Sequence, residues 1–215
     1  PPKAEQRPHS YERHGYRIED PYFWLKDQSY PTVDDKDVLD YLKAENAYYE
    51  AAMKPHQALT DTLFEEMKGR QKEDDSSVPQ KDGDYLYWWA FQPGAQYRQW
   101  YRRPASKVTD ALMRVGGVEF NDGELIYDEN KEAEDKQYFR LGALEVSPDG
   151  RLAAVYADDD GSERFKLKVR DLATGKDIET VTEVGIGTPI WTSDSKGLVF
   201  TEVNENWRSY RARYH

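Results

Sequence analysis

The chain has 215 residues, enough for one large or two small domains, and its 16 tyrosines and 6 tryptophans argue for a packed core rather than disorder. The absence of cysteine excludes a disulfide scaffold and any site built on thiolates. The net charge of −11 argues against a nucleic-acid partner, which would need a basic face, and no apolar run approaches the roughly 18 residues of a membrane span. An acidic field could attract cationic substrates, or it could serve solubility alone.

The first part of the chain predicts a polar arm followed by an aromatic run. Residues 1–19 are polar, and we expect them to lie extended along a surface. The run Tyr22–Leu25 places four large apolar side chains in a row within a polar neighbourhood. We therefore expect this run to be buried against another surface.

Two helices are predicted next. Asp34 and Asp35 are N-cap candidates for a helix that begins near Val38 and is stopped by Pro55. A second, shorter helix should follow, with Gly69 just beyond its end as a C′ residue. Residues 1–71 thus form a helical N-terminal segment.

A polar linker separates this segment from the rest of the chain. Residues 72–80 are charged and short in apolar side chains, which is typical of a connection between domains. We expect a hinge there, made by Glu73, Asp74, Asp75, Ser76, Ser77, Val78 and Pro79.

The remaining residues, 81–215, carry a repeated β pattern. A tight turn at Ser147–Gly150 precedes predicted strands, and Trp191 begins the pattern again. Those strands are Leu152–Ala157, Phe165–Arg170, Ile178–Val184 and Leu198–Phe200. Asp194 follows Asp149 by 45 residues, and a four-stranded unit of about 40–45 residues is the signature of a propeller blade.

An earlier copy of this four-stranded unit shows the sequence pattern less clearly. Its strands are predicted at Tyr85–Trp89 and Tyr97–Arg103, but Asp82 lies 67 residues before Asp149, so this unit carries an insertion or the blade phase is shifted. Residues 129–136 are a charged loop or a short exposed helix. We expect the last blade to be truncated within its final strand, at Tyr210–His215.

The chain shows no catalytic motif of its own. It has no Gly-x-Ser-x-Gly nucleophile elbow, no phosphate-binding glycine loop and no His-x-x-x-His pair. Its four histidines, His9, His14, His56 and His215, sit in separate segments. The acidic run Asp158–Asp160 is more typical of a solvated tip than of a cation site. We therefore assign no catalytic residue, metal ligand or cofactor.

Several motifs in a fixed order nevertheless resemble one family. They are His14-Gly15 with Asp20–Leu25, the stretch Met67–Pro79, Asp82–Trp88, Asp128–Asn130, and Ser147–Gly150 with Asp160–Glu163. Together they resemble the N-terminal part of the prolyl oligopeptidase family of serine peptidases, and its oligopeptidase B branch most. The resemblance covers essentially the whole chain.

The resemblance implies a mainly β fold: a partial seven-bladed β-propeller that caps an α/β-hydrolase domain not present in this chain. It implies that the helical segment packs on that domain and that the propeller gates access to the active site. It also implies cleavage of short basic peptides after Arg or Lys, by a triad lying outside these 215 residues. The partners would then be such peptides and the C-terminal hydrolase part, covalently linked or as a second fragment, with no nucleic acid or membrane.

One site residue follows from the resemblance. Glu163 resembles a family acidic residue that faces the cavity between the domains, although it could equally be a solvated glutamate at a loop tip that caps a strand end. A non-catalytic propeller scaffold is the alternative function, but it does not explain residues 1–71. We expect a cytoplasmic location, with the periplasm as the alternative.

Overall fold

The computed structural model describes residues 1–29, 32–105 and 123–215, which form two compact units, Pro1–Gln71 and Lys72–His215. The first unit is mainly helical and the second is built of antiparallel strands. No helix in the described ranges is long and apolar enough to span a membrane.

The N-terminal arm is a β-hairpin rather than a simple extended segment. Strand β1 (Ser10–Arg13) pairs antiparallel with β2 (Tyr16–Glu19). The two residues between them have positive φ, 52° at His14 and 79° at Gly15, as a two-residue hairpin turn requires. The arm was expected to be extended, but the pairing of its two strands was not predicted, because the His-Gly turn was taken as part of a polar segment.

The aromatic run lies against the start of the chain. Phe23–Leu25 form a 3₁₀ turn, and the Phe23 ring stacks on His9 with 3.9 Å between ring centroids. The Trp24 indole donates a hydrogen bond to the Glu5 carbonyl at 2.8 Å, while the Arg7 guanidinium lies 4.2 Å from the Trp24 ring centroid. The N-terminal arm therefore covers this run only in part, since Phe23–Leu25 are half-buried and Tyr22 is 41% exposed.

Two helices follow, as predicted. Helix α1 (Lys36–Met53) is capped by the Asp35 carboxylate, which accepts the amides of Asp37 and Val38. A 3₁₀ turn, Lys54–His56, follows α1 and leads into α2 (Gln57–Gly69). It contains Pro55, which was predicted to end the first helix. Gly69 is the last residue of α2 and not a C′ residue, because Arg70 closes the helix in a right-handed conformation.

The helices leave many apolar side chains exposed. No residue of α2 is buried, and Val38 alone is buried in α1. In these two helices, the large apolar side chains that are at least 46% exposed are Leu42, Tyr48, Tyr49, Leu59, Leu63, Phe64 and Met67.

The second unit begins with a four-stranded antiparallel sheet. Its strands lie in chain order: β3 (Gln80–Asp82), β4 (Tyr85–Phe91), β5 (Arg98–Pro104) and β6 (Glu124–Asp128). The residues that make this copy longer fall between β5 and β6, where 106–122 lie outside the described residues. Helix α3 (Glu129–Ala133) follows β6, which confirms the short helix but not its exposure, since Glu129 is buried and most of the helix is half-buried.

The next sheet has six strands and contains two blades. It comprises β7 (Arg140–Val146), β8 (Leu152–Asp158), β9 (Phe165–Asp171), β10 (Lys176–Trp191), β11 (Leu198–Val203) and β12 (Ser209–Tyr214). The first part of β10 pairs with β9 and its last part with β11, with register shifts along its length. One 16-residue strand thus closes one blade and opens the next.

Apolar side chains pack between successive blades. Ile126 and Tyr127 of β6 join Phe139, Leu141 and Val155 in one buried cluster. A second cluster packs residues of β8 and β9 against β11 and is made by Ala154, Tyr156, Phe165, Leu167, Val169, Leu198 and Phe200. This face-to-face packing of consecutive sheets is the arrangement of a β-propeller.

Successive turns lie alternately at the two ends of the strands, because the strands are antiparallel. At one end, the Asp149 amide donates a hydrogen bond to the Ser195 hydroxyl at 3.0 Å and links two equivalent turns. At the other end, the β8–β9 turn contacts the β11–β12 turn. The predicted site residue Glu163 lies at this second end.

Candidate functional site

The β8–β9 turn is built around one buried carboxylate. Asp158, the last residue of β8, is 1% exposed. Its Oδ1 accepts the amides of Asp160 at 3.1 Å and Gly161 at 2.9 Å, and its Oδ2 accepts the amide of Glu163 at 2.8 Å. Asp158 therefore shapes the turn, and the interpretation of Asp158–Asp160 as a uniformly solvated tip was wrong for this residue.

Glu163 stands at the end of this turn in an unusual backbone conformation. Its φ is 58°, a left-handed value that non-glycine residues adopt at some energetic cost. Its side chain is 65% exposed, and Oε1 accepts a hydrogen bond at 3.2 Å from Arg140 at the start of β7. The structure thus places Glu163 at a loop tip, paired with one exposed arginine.

The adjacent turn holds the residues on either side of Glu163. The Trp207 indole donates a hydrogen bond to the Ser162 carbonyl at 2.6 Å. The Arg164 guanidinium lies 4.4 Å from the Trp207 ring centroid, and its Nη2 donates to the Glu205 carbonyl at 3.1 Å. Two turns from neighbouring blades therefore form one surface.

These supporting residues were missed by the sequence analysis. A signal for Asp158 was present, since an aspartate directly after an apolar strand and before Gly161 favours a turn closed by its side chain. Trp207 lies 45 residues after Ser162, the period of the repeat, which predicts that the two belong to equivalent turns. Nothing in the sequence around Arg140 indicated that it would pair with Glu163.

The predicted hinge residues are only partly free of the sheet. The Ser77 amide donates to the Trp89 carbonyl and the Phe91 amide to the Asp75 carbonyl, both at 2.9 Å, and Ser76 forms an isolated bridge with Ala90. Glu73 and Asp74 are exposed, as is Val78 at 78%, while Pro79 is half-buried. A hinge role therefore stays a prediction, and residues 72–74 are the part with the fewest contacts to β4.

The described residues contain no assembled catalytic group. His215 lies 3.1 Å from the Glu179 carboxylate, and His9 stacks on Phe23. Within ranges 1–29, 32–105 and 123–215, no histidine ring bonds to a serine or threonine hydroxyl, and no group of three or more His, Asp or Glu side chains could hold a metal ion.

A family model decides the identity of this fold. The model of the N-terminal β-propeller domain of prolyl oligopeptidase matches residues 1–215. The chain belongs to the prolyl oligopeptidase family. This family consists of serine peptidases, and its propeller precedes the peptidase part.

Curated family members give the same assignment. The chain is 32% identical over 221 aligned residues to dipeptidyl aminopeptidase BI of Pseudoxanthomonas mexicana, covering 100% of this chain and 30% of that protein. It is 30% identical to protease 2 of Moraxella lacunata, covering 96% of this chain and 29% of the relative. The chain therefore spans about 30% of the length of the family members it matches.

Solved structures of the family share the fold. Oligopeptidase B from Leishmania major superposes with a TM-score of 0.84 at 24% identity, over 100% of this chain and 30% of that one. Oligopeptidase B from Trypanosoma brucei, in a closed form with covalently bound antipain, gives 0.81 at 26% identity, over 99% of this chain and 30% of that one. The propeller predicted from the 45-residue repeat is confirmed.

Proposed function

We propose that this chain is the propeller part of a serine oligopeptidase that cleaves short peptides after Arg or Lys. Its membership of the prolyl oligopeptidase family over residues 1–215 is the observation that carries the proposal. Two further observations support the basic specificity. The two structural relatives described above are named oligopeptidase B, and the chain has a net charge of −11, which would favour the approach of cationic peptides.

In this proposal the propeller gates access to a hydrolase domain supplied by the rest of the protein. The helical segment would belong with that domain, with residues 72–80 as the connection and 81–215 as the first blades. The exposed apolar side chains of α1 and α2 support this assignment, because monomeric proteins rarely leave such faces uncovered.

The substrate preference is tested on the full-length protein. Matched internally quenched peptides would carry Arg, Lys, Ala or Pro before the scissile bond. We expect cleavage after Arg and Lys, and no cleavage of an unfolded protein of about 100 residues if the propeller excludes long chains. Cleavage only after Pro would contradict the basic specificity, and no hydrolysis of any peptide would favour the non-catalytic scaffold.

A second candidate activity is the release of dipeptides from a free N-terminus. It is favoured by the 32% identity to a protein named dipeptidyl aminopeptidase BI. Mass spectrometry of the products separates the two activities. Equal cleavage of N-acetylated and free peptides indicates an endopeptidase, whereas a strict need for a free amine indicates dipeptide release.

Glu163 would attract or latch a basic group at the edge of the propeller. Its exposed carboxylate can act at a distance, although fields of this kind are screened over about 10 Å at 0.1 M salt. In the full-length protein, Glu163→Gln should therefore lower kcat/KM for an Arg peptide by about 3- to 10-fold at low salt and by less at high salt.

Glu5→Gln is the matched control for Glu163→Gln, because Glu5 is also exposed and pairs with an arginine, Arg7, in the other unit. We expect this substitution to leave kcat/KM for the Arg peptide unchanged at every salt concentration. An unchanged kcat/KM for Glu163→Gln across the whole salt series would return Glu163 to the reading of a solvated loop tip.

A further inference from the structure

Glu163 is flanked by two residues that the neighbouring blade holds. The carbonyl of Ser162 accepts the Trp207 indole N–H, and the guanidinium of Arg164 stacks on the Trp207 ring. A single side chain from the β11–β12 turn thus contacts both sequence neighbours of Glu163. We call Ser162, Arg164, Glu205 and Trp207 the turn clamp.

The blade of Glu163 alone does not fix the direction of its side chain. Asp158 fixes the amide of Glu163, but among the described residues the carboxylate pairs with Arg140 alone, and the two side chains are 53% and 65% exposed. Exposed ion pairs of this kind do little to hold a side chain in one direction. The direction of the Glu163 side chain therefore depends on its left-handed backbone, and such a conformation persists only where the surroundings determine it.

The clamp also controls the charge next to Glu163. Arg164 is the following residue, and a mobile Arg164 side chain could neutralise the Glu163 or Asp160 carboxylate. In the structure its guanidinium is held over Trp207 and donates to the Glu205 carbonyl, while its buried Nε has no hydrogen-bond partner among the described residues. Stacking on an indole face holds a guanidinium without adding a countercharge.

From these contacts we infer that Trp207 is a positioning residue for Glu163. It fixes the backbone that presents the carboxylate and keeps Arg164 away from it. The site for a basic group is then shared by two blades, with the carboxylate on one and its positioning residue on the next. This inference rests on the proposed role of Glu163 in binding basic peptides.

A double-mutant cycle in the full-length protein tests it. Trp207→Phe keeps a ring for Arg164 but loses the indole donor, whereas Trp207→Ala loses both. On an Arg peptide at low salt, we expect kcat/KM to fall about 2- to 4-fold for Trp207→Phe and by about the same factor as Glu163→Gln for Trp207→Ala. Trp207→Ala combined with Glu163→Gln should be no worse than Glu163→Gln alone, because the two residues act through one carboxylate.

Trp191→Phe is the matched control, since the Trp191 indole also donates to a carbonyl of the preceding blade, that of Glu145 at 2.9 Å. It should lower the melting temperature without changing the salt dependence of kcat/KM. A peptide with a neutral residue before the scissile bond provides the second control, and none of the Trp207 variants should affect its turnover.

The remaining outcomes separate the inference from the proposed function. If Glu163→Gln lowers kcat/KM while Trp207→Ala does not, or if their effects multiply, the inference is overturned and the proposed function stands. Equal losses on basic and neutral peptides for Trp207→Ala overturn it as well, since they indicate a structural role alone. If Glu163→Gln has no effect, the role of Glu163 fails and the inference fails with it.

Discussion

At the scale of single residues, buried carboxylates shape this chain more than its exposed acidic surface does. Asp158 uses both oxygens for backbone amides, whereas Asp149 in the β7–β8 turn accepts the Ser147 hydroxyl and the Arg151 amide through Oδ1 alone. An asparagine side chain has one acceptor oxygen and one donor group. It can therefore replace Asp149 but not Asp158.

Asp158→Asn should lower the free energy of unfolding by about 1–3 kcal/mol, because an amide N–H₂ would face a buried backbone N–H. Asp149→Asn, the matched control, should change it by less than about 1 kcal/mol. Chemical denaturation of the full-length protein, followed by near-UV circular dichroism, compares the two. Equal losses in both variants would contradict the two-oxygen argument.

Asp27 predicts a pH dependence in the first unit. Hydrogen bonds from the Asp35 amide, and then from the Ser29 hydroxyl and amide, lower the pKa of Asp27 from 3.8 to about 2. A lowered pKa in the folded state means that the ionised form is stabilised, so this contribution is present above pH about 4 and is lost as the pH falls to about 2. The amides of Asp34 and Asp35, which donate to Asp27, should then lose their protection.

Hydrogen exchange followed by mass spectrometry, corrected for the intrinsic rate at each pH, measures this loss. Protection at Asp34 and Asp35 should fall between pH about 4 and about 2 in the wild-type protein. In Asp27→Asn it should be low and should depend little on pH. A peptide from β4 provides the internal reference, and a pH dependence that persists in Asp27→Asn would locate the titrating group elsewhere.

At the scale of elements, two glycines show where the chain has room for a side chain and where it has none. A Cβ on Gly185 of β10 would lie 2.1 Å from the buried Tyr156 ring, whereas a Cβ on Gly69 of α2 would meet nothing within 4 Å. Gly185→Ala should therefore destabilise the protein by about 1–3 kcal/mol through overpacking. Gly69→Ala should be neutral or stabilise the end of α2 by up to about 1 kcal/mol.

Thermal unfolding of the two alanine variants checks this contrast. The melting temperature of Gly185→Ala should fall and that of Gly69→Ala should not. A fall of the same size in both variants would mean that the loss of glycine flexibility, rather than the Tyr156 contact, decides the stability.

The strands could be predicted from the sequence, and some of their limits could not. A short apolar run indicated β8, alternation of apolar and polar side chains indicated β9, and the caps and periodicity indicated α1. The hairpin β1–β2 was missed because its strands have only four residues each and are almost entirely exposed, so the alternation in Tyr16–Glu19 is too short to stand out from a polar segment. The length of β10 was missed because its register shifts break the period, so a strand that serves two blades resembles two short ones.

The candidate site, too, could be predicted from the sequence only in part. Glu163 came from the family resemblance, since nothing in its local sequence separates it from other exposed glutamates. Its left-handed backbone and its contact with Arg140 depend on β7, and the clamp depends on a turn 45 residues away. Contacts between blades are set by how the sheets pack, which no local pattern specifies.

At the scale of the whole molecule, the connection between the two units is the segment we expect to yield first to a protease. Lys72 precedes the exposed residues Glu73 and Asp74, whereas Lys81 lies within β3 and is paired with Leu86. Local opening costs least where few backbone hydrogen bonds must break. Trypsin should therefore cut the full-length protein after Lys72 well before it cuts after Lys81.

Mass analysis of an early trypsin time course gives the order of the two cuts. Lys72→Gln should remove the early product without affecting later ones. Cleavage after Lys81 at the same rate as after Lys72 would show that β3 opens as readily as the connection, and would count against a hinge at residues 72–74.

The shared strand β10 also determines where one blade could be exchanged for that of a relative. A graft joined at the turns would move β10 as one piece, so the half of β10 that pairs with the other blade would then lie against a strand of the wrong protein. A junction inside β10, near Gly185–Gly187, would leave each half paired with its own neighbour, β9 before it and β11 after it. The boundary between these two blades that a recombination experiment should use therefore lies within a strand and not at a turn.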